Sequence, residues 1–118
     1  MGFISYQNLN SLEEISFIAG SNFILEFNVY EEDGVTPQNL GGATISWALC
    51  PYGEFDYNVL EKTGTITGTN IFEVVLDAID TLTLAGKYIQ QPIITDFSGG
   101  VFRPSQGILL ILPANATT

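Results

Sequence analysis

The chain is 118 residues long, 46% hydrophobic and only 14% charged, and its 8 Phe, 5 Tyr and 1 Trp exclude a disordered segment, which would be aromatic-poor and charge-rich. A chain of this length has room for one domain and one core, and folding buries roughly two-thirds of its extended surface. Three basic residues against 13 acidic ones give a net charge of -10, which removes the positive footprint of nucleic-acid and anionic-membrane binders.

Met1 to Glu14 has neither a basic start nor a continuous apolar stretch, so it does not read as a secretory signal. Tyr6 stands where a myristoylation site needs Ser or Thr. Residues 1–12 read instead as an N-terminal arm, in which Phe3, Ile4, Tyr6, Leu9 and Leu12 lie among uncharged polar residues. Such an arm either straps a neighbouring subunit by strand addition or forms the first strand of its own sheet. From residue 13 to 113 the pattern is period two, which predicts strands rather than helices. Phe23, Leu25, Phe27 and Val29 fall on one face and Asn22, Glu26, Asn28 and Tyr30 on the other, with Ile24 the exception. The acidic run Glu31-Glu32-Asp33 ends at Gly34, and Asp-Gly supplies a tight turn.

A second strand carries Ile45, Trp47 and Leu49 inward and stops at Pro51. Tyr52 to Asn58 reads as a loop, and Val59 to Thr67 as an edge strand or a hairpin around Gly64. Ile71 to Asp77 alternates again. Ala78 to Ala85 is the one place for a helical turn, with Ile79, Leu82 and Leu84 near three-residue spacing, and would connect two sheets. Lys87 to Thr95 is a strand, Asp96 to Gly100 a Gly-rich turn, and Val101 to Leu112 a last strand bent near Pro104 and Gly107. Ala114 to Thr118 reads as a loose tail. The longest apolar run, Ile108 to Pro113, is far short of the ~20 residues of a spanning helix, so no membrane insertion is expected and the site of synthesis is the cytosol.

Seven to eight short antiparallel strands with frequent turn signals predict an all-β, immunoglobulin-like β-sandwich in a single domain. Trp47 and Tyr88 stand where such sandwiches keep a central Trp and a corner Tyr.

The sequence has no His and one cysteine, Cys50. The commonest general base, the Ser-His and Cys-His pairs, intrachain disulfides and Cys-based zinc sites are therefore missing. No catalytic residue, metal or cofactor is expected. Glu31-Glu32-Asp33 lacks the alternating ligands of a calcium loop and reads as a solvated hairpin tip. Glu54 and Asp56, as paired glycosidase carboxylates, lack a visible partner group. Cys50 has no neighbouring base or cation to activate it and reads as a structural thiol. Tyr52, Phe55 and Tyr57 in one loop read either as interface anchors, as a stacking platform for sugar rings, or as a cap on the core.

Three stretches together carry a resemblance: Phe27 to Ala48, with Asn39-Leu40-Gly41-Gly42-Ala43-Thr44-Ile45-Ser46-Trp47; Asp80 to Gln91, with Leu84-Ala85-Gly86-Lys87-Tyr88; and Asp96 to Leu110, with Pro104-Ser105-Gln106-Gly107-Ile108. In that order they resemble the small immunoglobulin-like domains of tailed bacteriophages, in particular the N-terminal domain of baseplate upper proteins, over roughly residues 20 to 112. The resemblance implies a non-enzymatic virion protein that works by binding other virion proteins. A capsid decoration or cement protein in high copy or as a homo-oligomer is the first expectation, because the chain reads as a lone domain. A tail or baseplate adaptor is the second. A carbohydrate-binding module for host-surface attachment, with a glycan as partner, is the rival. Neither nucleic acid nor membrane is an expected partner. Attachment is expected through apolar contacts supplemented by basic groups on the partner.

Overall fold

Alternating sequence segments build a sheet that curls on itself, because each strand has one apolar face to bury. The computed structural model describes residues 2–8, 12–31, 33–54, 57–103 and 105–113. Among them the strands are β1 (Gly2–Tyr6), β2 (Ile15–Ile18), β3 (Phe23–Asn28), β4 (Thr44–Pro51), β5 (Leu60–Ile66), β6 (Ile71–Leu76), β7 (Gly86–Thr95), β8 (Val101–Phe102) and β9 (Gly107–Leu112), with one short helix, α1 (Ala78–Thr81). The strand order is β1-β3-β6-β5-β4-β7-β9-β2, and β8 pairs with β7. The chain is thus all-β and single-domain, as the periodicity predicts.

The inward residues of the predicted strands meet in one core. Leu25 and Phe27 of β3, Trp47 and Leu49 of β4, Phe72, Val74 and Leu76 of β6 and Leu109 of β9 are fully buried. Each such side chain contributes about 1.5–3 kcal/mol relative to exposure. Phe27 stacks on Tyr6 on one side and on Phe72 on the other, with ring centroids 5.0 and 4.9 Å apart. The turn before β7 is pinned by Tyr88, whose hydroxyl donates to the carbonyl of Ala85 and accepts from its N–H, both at 3.2 Å. Trp47 and Tyr88 therefore do what their positions predict.

The pairing departs from an antiparallel plan at both ends of the order. β1 runs parallel to β3, and β2 parallel to β9. The cause lies in the first connection: β2, between β1 and β3 in sequence, goes to the opposite end of the sheet, so β1 and β3 become neighbours without a hairpin. Residues 2–6 are a strand of the chain's own sheet, with Ile4 opposite Leu25 and Tyr6 opposite Phe27.

Three further expectations are corrected. β5 is not a hairpin but a strand paired on one side only, with β4 up to Gly64 and with β6 from Thr65, so it forms the edge where the sheet passes from one half to the other. Gly64 marks the switch because a Cβ there would stand 2.6 Å from Ile45 Cγ2. The predicted helical turn exists as α1, but Ile79 and Leu82 point to solvent. Its anchor is Thr81, fully buried, whose Oγ1 accepts from the Gly20 N–H at 3.0 Å. The last predicted strand is two strands, β8 and β9, both paired to β7.

Candidate functional site

A broad concavity lies at one end of the sheet, between the connection from β3 to β4 and the turn from β7 to β8. Both segments are held by their own side chains. In the first, the Asp33 carboxylate accepts from the N–H groups of Val35 and Thr36 at 2.9 and 2.8 Å and from the Thr36 hydroxyl. Gly34 beside it takes a φ of 73°, the left-handed region that glycine enters without steric cost. The Glu31-Asp33 run is thus the tip of a tight loop, as expected, while Glu32 lies outside the described residues. Further on, Asn39 accepts from the Gly41 N–H at 2.8 Å and leads the chain into β4. In the second segment, Asp96 Oδ1 accepts from the Ser98 N–H at 3.0 Å, the Ser98 hydroxyl at 2.8 Å and the Gly100 N–H at 2.8 Å.

Between these loops is an open groove of about 1000 Å³. Leu40, Ala43 and Ile94 contribute apolar lining, Phe97 and Phe102 stand at its wall, and Glu31, Asp33 and Asp96 bring carboxylates. The Thr36 hydroxyl and the N–H groups of Thr36 and Val35 hold the Asp33 carboxyl below the usual carboxylate range. The Ser98 hydroxyl, with the N–H groups of Gly100, Ser98 and Gly99, does the same for Asp96. Phe97 is 85% exposed, yet its position is fixed: it sits on the Asp96 turn, against Gly42, where an added Cβ would come within 3.1 Å of Phe97 Cβ.

The residues singled out in the sequence scatter. In β1 the alternation turns Ile4 and Tyr6 into the chain's own core, Tyr6 being 4% exposed, and Leu12 also packs against that core. Tyr6 is thus an internal contact rather than a partner contact, while Ile4 and Leu12 are half-buried against the core. Phe3 is turned outward, 56% exposed, in a cross-strand row with Ile24 and Val75. Leu9 lies outside the described residues.

At the end of the sheet opposite the groove, Tyr52 and Tyr57 are about half exposed, while Phe55 and Asp56 lie outside the described residues. One face of the Tyr52 ring is taken by the Lys87 ammonium, 4.9 Å from the centroid, a cation–π contact. The Tyr57 hydroxyl donates to Glu54 Oε2 at 3.3 Å. Burial pushes the Cys50 thiol up, away from the thiolate that a nucleophile needs.

No local sequence pattern marks the groove as a whole. Its walls come from segments more than fifty residues apart in sequence, Glu31–Ala43 and Ile94–Phe102. One local signal was present: in Asp96-Phe97-Ser98-Gly99-Gly100 an aromatic sits at the tip of a turn, where no core can reach it.

No protein-family model matches the chain, and no curated protein does. Among solved structures the chain is similar to the N-terminal domain of phage TP901-1 ORF48, with a TM-score of 0.60, at 10% identity, over 94% of this chain and 97% of that one. At that identity the likeness is one of fold.

Proposed function

We propose that this chain is a non-enzymatic structural protein of a tailed-phage particle and works by binding other virion proteins. The observation that carries this reading is the likeness in fold to a phage protein's N-terminal domain across nearly the whole of both chains. It agrees with the resemblance carried by residues 27–48, 80–91 and 96–110. The side-chain inventory supports binding over catalysis, with no His in the sequence and Cys50 held as a thiol by burial. The exposed surface offers what binding uses: Phe97 and Val101 at one end, Tyr52 and Tyr57 at the other, and Phe3 on a sheet face.

Within this reading the chain is a capsid decoration or cement protein in high copy, or an adaptor of the tail or baseplate. Mass spectrometry of purified particles separated into heads and tails tests both. Recovery with heads supports decoration, and recovery with tails supports the adaptor. Absence from both fractions overturns the virion role. For the rival reading of a sugar platform, the Lys87 ammonium on Tyr52 leaves only the other face of that ring for stacking.

A further inference from the structure

Phe97 has an unusual combination of properties. It is 85% exposed, and it is carried on a turn fixed by the hydrogen bonds to Asp96. An apolar ring displayed in water on a backbone already held in its turn costs little further backbone order when it meets a partner, which is how aromatic anchors work at interfaces. Phe102, 41% exposed, stands on the same wall, above the apolar lining formed by Leu40, Ala43 and Ile94.

The charge of the groove identifies what fills it. Its lining carries Glu31, Asp33 and Asp96 and not one cation. Of the three basic residues of the sequence, Lys62 is held by Asp80 at 2.9 Å, Lys87 lies on Tyr52 at the opposite end of the sheet, and Arg103 is outside the lining. Three carboxylates line this one groove, and charges within a Debye length, roughly 8 Å at physiological salt, reinforce one another. A second copy docked groove to groove would bring the same three carboxylates against them and be repelled. A bare metal ion is not the occupant either, since among the described residues no three acidic, Cys or His side chains converge as a metal site requires.

We propose that this groove docks an extended segment of a partner protein in which an apolar side chain, seated against Phe97 and Phe102, is flanked by lysine or arginine. The inference deepens the binding role above and rests on it only for the partner's being a virion protein. It adds the surface, the anchor and the chemistry of the partner.

The test uses the full chain in solution and three synthetic octapeptides: leucine alternating with lysine, the same with glutamine for lysine, and the same with glutamate. Amide NMR shifts are followed on the chain labelled with nitrogen-15. The lysine peptide is expected to move the amides of residues 38–43 and 94–102, and to bind at least about tenfold more weakly to Phe97→Ser, a loss typical of an anchor residue. Glu31→Gln is expected to weaken it less and to flatten its dependence on salt. The glutamine peptide is expected to bind more weakly, and the glutamate peptide to leave the groove unmoved. Since Phe97 is exposed, Phe97→Ser should keep its melting temperature, and Phe102→Ser serves as a second variant. The proposal is overturned if the lysine peptide does not bind, if its shifts centre instead on the sheet face where Glu26 of β3 stands opposite Glu73 of β6, or if both serine variants bind it as the parent does. These outcomes do not touch the head-and-tail fractionation, so either proposal can fail alone.

Discussion

Gln90, in the middle of β7, donates its side-chain N–H to the hydroxyl of Tyr6 at 2.7 Å, across the core and across 84 residues of sequence. Its carbonyl oxygen accepts from the Trp47 indole N–H at 3.0 Å. One fully buried amide thus satisfies two large rings and ties β1 to β4 through β7. Among the described residues no buried side-chain nitrogen or oxygen is left unpaired.

That arrangement predicts an asymmetric cost. Tyr6→Phe leaves the Gln90 N–H without its acceptor and should cost about 1–3 kcal/mol, the penalty for a buried group left unpaired. Gln90→Leu orphans both the Trp47 N–H and the Tyr6 hydroxyl and should cost more than Tyr6→Phe. Urea unfolding followed by the fluorescence of Trp47 measures both; equal stability of Gln90→Leu and the parent would contradict the network.

Alkaline pH should act through the same residue. Burial pushes the Tyr6 hydroxyl up from 10.0 to about 12, opposed by the Gln90 bond and assisted by the charge of Glu13. The folded chain keeps the proton where the unfolded chain loses it, so this contribution to stability is complete below pH 10 and is lost as the pH rises through about 12. A shift of that size corresponds to about 2–3 kcal/mol. Unfolding free energies measured from neutral pH upward should fall more steeply above pH 10 for the parent than for Tyr6→Phe.

Acid should act at α1. Burial raises the Asp80 carboxyl, but the Lys62 hydrogen bond, the Asp77 N–H and the Lys62 charge outweigh it and hold the group below 3.8. Its contribution is therefore present above 3.8 and lost as the pH falls through the lower folded value. Because the pair is partly exposed, Asp80→Asn should cost only about 0.5–1 kcal/mol at neutral pH. The difference from the parent should vanish in strongly acidic urea titrations.

At the sheet switch, Gly64→Ala should destabilise by about 1–3 kcal/mol, because the new Cβ meets Ile45 Cγ2 at 2.6 Å and Ile45 Cβ at 2.9 Å. Gly68→Ala is the control, its Cβ meeting Ile71 no nearer than 3.5 Å. Thermal melting that ranks the two variants equally would remove Gly64 from its role.

The strands whose two faces differ in polarity were readable from sequence. In β3, Leu25 and Phe27 alternate with Glu26 and Asn28, and burial follows that alternation. In β1 both faces carry apolar groups, Phe3 on one and Ile4 and Tyr6 on the other, so the period did not reveal which face meets the core. Pairing partners leave still less trace: Gly64 looked like a hairpin tip because a glycine that avoids a neighbour and one that makes a turn are the same letter. The core Trp47 and the corner Tyr88 were legible, since each role is set within a few residues. Phe97 lies in a turn between strands, where no alternation says which way a ring faces.

The opposite placement of β1 and β2 bears on how the chain is made. β2 pairs with β9, so Ile15 waits for Leu109 before its backbone finds a partner. A ribosome delivers nearly all the other strands in between, and the curl of the sheet cannot close until β9 has been delivered. Pairings between residues so distant in sequence slow folding to the millisecond-to-second range usual for sandwiches. During synthesis Phe17, buried in the finished protein and packed on Phe23 at 4.7 Å, stays uncovered by β9 until the end. The emerging chain therefore carries a transient liability to aggregate, which its ten surplus negative charges counter by keeping unfinished copies apart.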